Sequence, residues 1–150
     1  MVYNDLQGET KNIMKASEVV YLKLKENGGS KRITLLNGDK ALVVTDGRSC
    51  FGSDKLPNQE VDYSIFDIVV SYLKKQPYGR AVKGGARGSK VGKNKCTKDT
   101  VMYAIATEYY GKEEGESSFD PLFVIAAILD WAGIARNERG YMQLYNPSKW

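Results

Sequence analysis

Histidine is absent from all 150 residues of this sequence. That removes serine–histidine–aspartate and cysteine–histidine nucleophile activation, histidine-dependent nucleases and nearly all zinc sites. Cysteine is scarce as well. Cys50 and Cys96 stand far apart without CxxC spacing and read as two buried free thiols, since a disulfide would need an oxidising compartment. No apolar run approaches the roughly 18–20 residues of a bilayer-spanning helix, the longest being Leu122 to Leu129. The opening Met1-Val2-Tyr3-Asn4-Asp5 has no basic segment leading into an apolar one, so no secretory signal is read there. The expectation is a cytoplasmic protein without a membrane partner, metal or cofactor, in which any catalysis would fall to carboxylates, lysine or tyrosine.

The second absence is local. Acidic residues are missing from Lys74 to Lys98, a segment that holds nine basic ones: Lys74, Lys75, Arg80, Lys83, Arg87, Lys90, Lys93, Lys95 and Lys98. Without that segment, thirteen basic residues face eighteen acidic ones, although the whole chain carries +4. One stretch thus makes an otherwise acidic chain basic, and a partner of negative charge is the first implication.

With 42% apolar and 27% charged residues the remaining chain has a globular composition, enough for one domain or one domain with a small appendage. Residues 1–10 lack periodicity and read as an arm. From Lys11 to Glu26, Ile13, Ala16, Val20 and Leu24 fall at helical spacing, and Gly28-Gly29 would stop the helix. Val20, Leu22 and Leu24 also alternate as a strand would; the helical reading is preferred. Arg32–Leu36 and Lys40–Thr45 flank Asn37-Gly38, a hairpin signal, and Asp46-Gly47 turns the chain again. Ser53 to Glu60, with Pro57, reads as a linker.

Three helices are expected in the second half. One runs over 64–76 ahead of Pro77, and one over 97–110 with Thr97 as its cap. The third covers 121–132, with Asp120 as cap, Pro121 in the first position and Gly133 after the end. The third is apolar on every side apart from Asp130, and reads as the central spine. Ile134-Ala135-Arg136, the turn Asn137-Glu138-Arg139-Gly140 and Tyr141–Tyr145 then read as a hairpin.

Three helices followed directly by a hairpin, with the junction Leu129-Asp130-Trp131-Ala132-Gly133-Ile134-Ala135-Arg136-Asn137-Glu138-Arg139-Gly140-Tyr141-Met142-Gln143-Leu144, resemble the winged-helix domain family over about 62–146. The resemblance implies an α+β fold. A three-helix winged-helix-like domain with a C-terminal β-hairpin would span 59–150, with the basic loop 77–97 inserted, after a small helix-plus-hairpin unit over 1–58. It also implies duplex DNA binding, favouring DNA over RNA, with the third helix in the major groove and the hairpin wing on the backbone. Helix 121–132 offers base edges only Asp130, which phosphates repel, so the contact would pass to Arg136 and Arg139 on the wing.

The loop itself reads PYGRAVKGGARGSKVGKNKCT from Pro77 to Thr97. A connection of about twenty residues without regular structure is uncommon inside a domain and is usually functional. A lysine or arginine every two to four residues suits a pliable chain tracking successive phosphates, with Arg80, Arg87 and Tyr78 able to stack on unpaired bases. The expected contacts are Arg80, Lys83, Arg87, Lys90, Lys93, Lys95, Lys98, Arg136 and Arg139. It is not a nucleotide-binding P-loop: Gly92-Lys93 is followed by Asn94, and Arg87 occupies the place of the first glycine.

The function these features support is non-catalytic nucleic-acid binding, in transcription or nucleoprotein assembly. Two alternatives are a protein-interaction module, including an inhibitor or component of a nucleoprotein machine, and a metal-dependent nuclease using Asp46, Asp54, Glu60 or Asp62. The acidic stretch with Glu108, Glu113, Glu114, Glu116 and Asp120 suggests docking on a basic surface, such as the loop of a second copy in a homodimer.

Overall fold

The computed structural model describes residues 14–150, so the arm expected over 1–10 and the first residues of the expected first helix lie outside it. The described chain is mixed α+β, with four helices and two antiparallel sheets. The first helix, α1 (Ala16–Glu26), buries Ala16, Val20 and Leu24, each four residues after the last. Leu22, which the strand reading would have placed inward with Val20 and Leu24, is exposed. The helix ends as Gly29 N–H reaches back to the Leu24 carbonyl at 2.8 Å, through two glycines of positive φ.

Strands β1 (Ser30–Thr34), β2 (Lys40–Asp46), β3 (Cys50–Ser53) and β4 (Val61–Asp62) form one sheet in sequence order. The first hairpin pairs Thr34 with Lys40, leaving Leu35–Asp39 as its connection, in which the Asn37 amide oxygen accepts the Asp39 N–H at 3.0 Å. The stretch read as a linker, 53–60, joins β3 to β4 and is pinned by the buried Leu56. Both strands escaped the sequence pattern because they are too short to show a period of two.

Helix α2 (Ser64–Lys74) buries Ile65, Phe66, Val69, Val70 and Leu73, and Phe66 stacks on Phe51 of β3 with ring centroids 5.3 Å apart. It stops two residues short of Gln76, ahead of a tight turn over Pro77–Gly79. That turn leads into β5 (Arg80–Val82).

The second expected helix is corrected most. Thr97 turns its hydroxyl to Asp99, while its carbonyl accepts the Thr100 N–H, so the chain makes a turn where a helix was read. Thr100 is the cap, accepting the Tyr103 N–H, and α3 (Val101–Ala104) widens into π-helical turns over Ile105–Tyr109.

Helix α4 (Leu122–Trp131) is the expected spine, with seven of its ten residues buried. The helix starts one residue later than expected, with Pro121 in the cap position, and the Asp120 carboxylate just ahead of it accepts the Leu122 N–H at 3.0 Å. Burial on every side is interrupted at Phe123, which is 43% exposed. Strands β6 (Ala135–Glu138) and β7 (Tyr141–Leu144) form the expected hairpin, and β5 joins it along β7 in the order β5-β7-β6. Apolar packing runs unbroken from Ala16 through both sheets to Leu144.

Candidate nucleic-acid interface

The basic segment is folded, which corrects the expectation of a pliable connection. Its base is closed where Val82 pairs with Thr100 and the Met102 N–H donates to the Lys83 carbonyl at 2.9 Å. Inside, Gly85 N–H donates to the Lys95 carbonyl and Gly92 N–H to the Cys96 carbonyl, at 2.9 and 2.8 Å. Ala86, Ser89, Val91 and Cys96 are buried, so the loop has anchors of its own. At Gly84, with φ of +69°, an added Cβ would stand 2.4 Å from the Lys95 carbonyl oxygen, so only glycine closes this turn.

The acidic stretch is the surface the loop rests on. Val91 exchanges backbone hydrogen bonds with Glu116 and Gly115, both 2.9 Å. The Asp120 carboxylate, besides accepting the Leu122 N–H, accepts the Ala86 N–H at 2.9 Å. Lys90 Nζ donates to the Ser117 hydroxyl at 2.8 Å. Tyr103 donates to Glu114 at 3.0 Å. In none of these contacts does an ammonium or guanidinium meet a carboxylate. Among the described residues the ion pair within 4 Å is Arg136 with Glu138, at 3.3 Å, and none joins the basic loop to the acidic stretch. The loop is therefore folded without being neutralised.

Each expected contact can be placed. Arg87, Lys90, Lys93, Lys95 and Lys98 are exposed. Lys83 is half-buried; burial pushes its ammonium pKa below the ordinary value, against the opposing pull of Glu138 and Asp130. Its N–H donates to the Gly140 carbonyl at 2.9 Å, which sets the tip of the β6–β7 hairpin, with exposed Arg139, against the start of the loop. Lys83 and Lys95 line one hollow of about 440 Å³ together with Asn94 and Thr97. Lys83 and Arg87 line another of about 460 Å³, walled by Leu36 and Phe123. Lys90, Lys93 and Lys98 line neither: Lys90 is held by Ser117, and the Lys98 carbonyl accepts the Tyr72 hydroxyl.

Arg80 and Arg136 lie elsewhere, on the outer face of the second sheet. Both pair with Gln143, so the three residues form a row across β5, β7 and β6. The Arg80 guanidinium stacks 3.8 Å from the centroid of Tyr141. Arg136 donates to the Gln143 amide oxygen at 3.4 Å, and the Gln143 amide nitrogen donates to the Tyr78 carbonyl at 3.3 Å. Gln143 and Tyr141 escaped selection as site residues. The alternation of Tyr141, Gln143 and Tyr145 was the available signal, but the pairing with β5 that gives it meaning was not legible.

The carboxylates weighed for a nuclease do gather in part. Asp46 pairs with Cys50 across β2 and β3, and Cys50 with Asp62 across β3 and β4. Hydrogen bonding to Asp46 raises the Glu60 pKa. The Cys50 thiol donates to Asp62 at 3.1 Å, and this contact is the main cause that pushes its pKa up to about 11. Cys50 is thus free but only partly buried, unlike Cys96. Among the described residues no three histidine, cysteine or acidic side chains are placed to hold a metal ion. Nor is any helix long and apolar enough to cross a membrane.

Comparison with protein-family models, with curated proteins and with solved structures finds no match, and the site is read from its own chemistry.

Proposed function

We propose that this protein binds nucleic acid without catalysing a reaction, holding the phosphate backbone with the folded basic loop and the adjoining hairpin. One observation carries the reading. The loop spends its backbone and its apolar residues on internal anchorage, while Arg87, Lys93, Lys95 and Lys98 stay exposed and, among the described residues, no carboxylate forms an ion pair with them. Cations kept apart at fixed positions on a rigid loop suit a regularly charged polyanion, because each phosphate bound releases condensed counterions. Arg139 at the hairpin tip and Lys83 beside it extend the same field.

A winged-helix arrangement forms part of this proposal. Helices α2, α3 and α4 followed by the β6–β7 hairpin support it, and the hairpin is the part of that arrangement that carries arginine. Helix α4, nearly all buried, contributes packing rather than base contacts. DNA is favoured over RNA on this reading alone.

The test is a salt titration of the full chain against a labelled duplex. Affinity should fall steeply as salt rises, and replacing Lys93, Lys95 and Lys98 by alanine should reduce the log–log slope by roughly 3. No binding to duplex or single strand at low salt rules the function out.

A further inference from the structure

We infer that the outer face of the β5-β7-β6 sheet is a stacking platform for unpaired bases, making the preferred ligand a single-stranded nucleic acid whose backbone continues onto the basic loop. This rests on the nucleic-acid reading above and names its target.

The starting point is Tyr78. It is 85% exposed, yet its backbone is held at φ +60°, ψ +16°, a conformation that L side chains avoid. An exposed ring obtains no packing in return for that strain. The turn is nonetheless fixed from below. The following Gly79 is buried, and a Cβ there would meet Pro147 and Leu144 at 3.1 and 3.2 Å. Gln143 holds the Tyr78 carbonyl from the sheet side. The ring is thus presented to solvent on a rigid mount beside the sheet, in a place where glycine would be the easier residue. Strain of this kind at a solvent-facing aromatic points to a ligand that uses the ring.

The neighbouring face has matching chemistry. Arg80 already sits 3.8 Å over the Tyr141 ring and is itself exposed, so its guanidinium can take a base on its other side. Arg136, partly offset by Glu138, closes the row through Gln143, whose amide can exchange its present partners for a base edge. Three strands about 4.8 Å apart give room for roughly two bases side by side. Charge favours an anion over an apolar partner, since Arg80, Arg136 and the nearby Arg139 outnumber Glu138 and Asp130, which holds the Tyr145 hydroxyl. The way onward is open too. Val82, 55% exposed and paired to Tyr141 on this face, also lines the hollow that holds Lys83, Lys95 and Asn94. A strand leaving the platform would pass Glu138, in the same row as Tyr141 and Val82, and Asp99 at the rim of that hollow, and reach Lys83, Lys95 and the exposed cations beyond them. A duplex keeps its bases stacked on one another and cannot use such a face, whereas aromatic stacking on unpaired bases is sequence-tolerant.

The experiment measures anisotropy of a labelled twelve-residue oligothymidylate, of an abasic oligonucleotide of equal length and of a mixed-sequence duplex, using the full chain at low salt. Wild type should prefer oligothymidylate over the abasic strand by about tenfold or more, as expected for one or two stacked bases. Tyr78→Ala should remove most of that preference while changing duplex affinity less than about twofold, and Tyr78→Phe should keep it. Arg80→Lys, which retains charge but loses the planar fork, should behave like Tyr78→Ala. Equal affinity of wild type for the thymidylate and abasic strands, or a preference that survives both Tyr78→Ala and Arg80→Lys, overturns the platform. In either case binding that still responds to Lys93, Lys95 and Lys98 leaves the broader function standing. Absence of binding to all three probes overturns both.

Discussion

Two cationic surfaces share this chain, and they differ in how their charge is held. On the loop over 83–100, no side-chain cation is seen in an ion pair or over an aromatic ring among the described residues, and the backbone is closed by its own hydrogen bonds and by the acidic stretch behind it. On the outer sheet face each cation is engaged: Arg80 lies on a ring, and Arg136 is held by an amide and a carboxylate. An isolated ammonium in water gives a point attraction with little geometric demand, suited to phosphates. A guanidinium fixed in plane against tyrosine gives a flat surface of set orientation, suited to bases. Affinity should therefore be carried by the loop and discrimination by the sheet.

The largest effect that could break this division comes from charge removal. Replacing Lys93, Lys95 and Lys98 together should cost about a hundredfold or more in affinity at about 50 mM salt, equally for duplex and single strand. A loss confined to one of the two would show that the loop discriminates, and the comparison would fail. Thermal unfolding should hardly change, because these exposed lysines make no ion pair among the described residues.

Next come two glycines of the same loop. Gly84 and Gly88 both have positive φ, +69° and +74°, but a Cβ at Gly88 meets nothing within 4 Å. Gly88→Ala should cost about 1 kcal/mol from backbone conformation alone. Gly84→Ala adds a collision with the Lys95 carbonyl and Thr100, and should cost at least about 2–3 kcal/mol in chemical denaturation. If affinity depends on the loop being rigid, Gly84→Ala should also weaken binding with every lysine intact. Equal stabilities of the two variants would mean that the loop's closure is looser than its hydrogen bonds imply.

Asp120 tests the attachment between loop and scaffold. One carboxylate oxygen accepts the Leu122 N–H at the start of α4 and the other holds the Ala86 N–H. Asp120→Ala should cost about 1–2 kcal/mol, and amide exchange at Ala86 and Leu122 should quicken together. Exchange that quickens only at Leu122 would separate the loop from the start of the helix.

How far the sequence revealed this arrangement depends on the range of the interactions involved. Helix α1, helix α4 and the β6–β7 hairpin were legible because a local signal fixed each of them: Leu24 following Val20 and Ala16, Asp120 before Pro121, Gly140 at a turn. Thr97 misled, since a threonine ahead of an apolar run fits a cap, but Asp99 took its hydroxyl and Thr100 stood closer to the helix. The cations of the candidate site were visible as composition. Their division into two surfaces was not. It depends on Arg80 pairing with Gln143, sixty-three residues away, and on three residues of β5 that carry no periodic pattern. Nor could spacing reveal that residues 111–120 form a floor beneath the loop, because that contact runs through the backbones of Val91, Gly115 and Glu116.

The smallest effect concerns Lys83, which belongs to the loop by sequence but sits half-buried at the junction of the two surfaces. Its pKa is lowered in the folded protein, chiefly by burial, so the unfolded chain binds its proton more tightly. Below the lowered folded value the charged amine is a cost to stability. Between that value and the ordinary 10.5, stability should rise with pH, as the folded state gives up the proton first. Lys83→Met removes the charge and should raise the unfolding temperature slightly at neutral pH, with the advantage shrinking as pH climbs toward 10.5. A bound phosphate would favour the protonated amine, so complex formation in that alkaline window should take up a proton in wild type and not in Lys83→Met. Proton uptake measured calorimetrically in two buffers of different ionisation enthalpy distinguishes the cases. If uptake is the same in both proteins, Lys83 lies outside the contact, and the path from platform to loop must run past Lys95 without it.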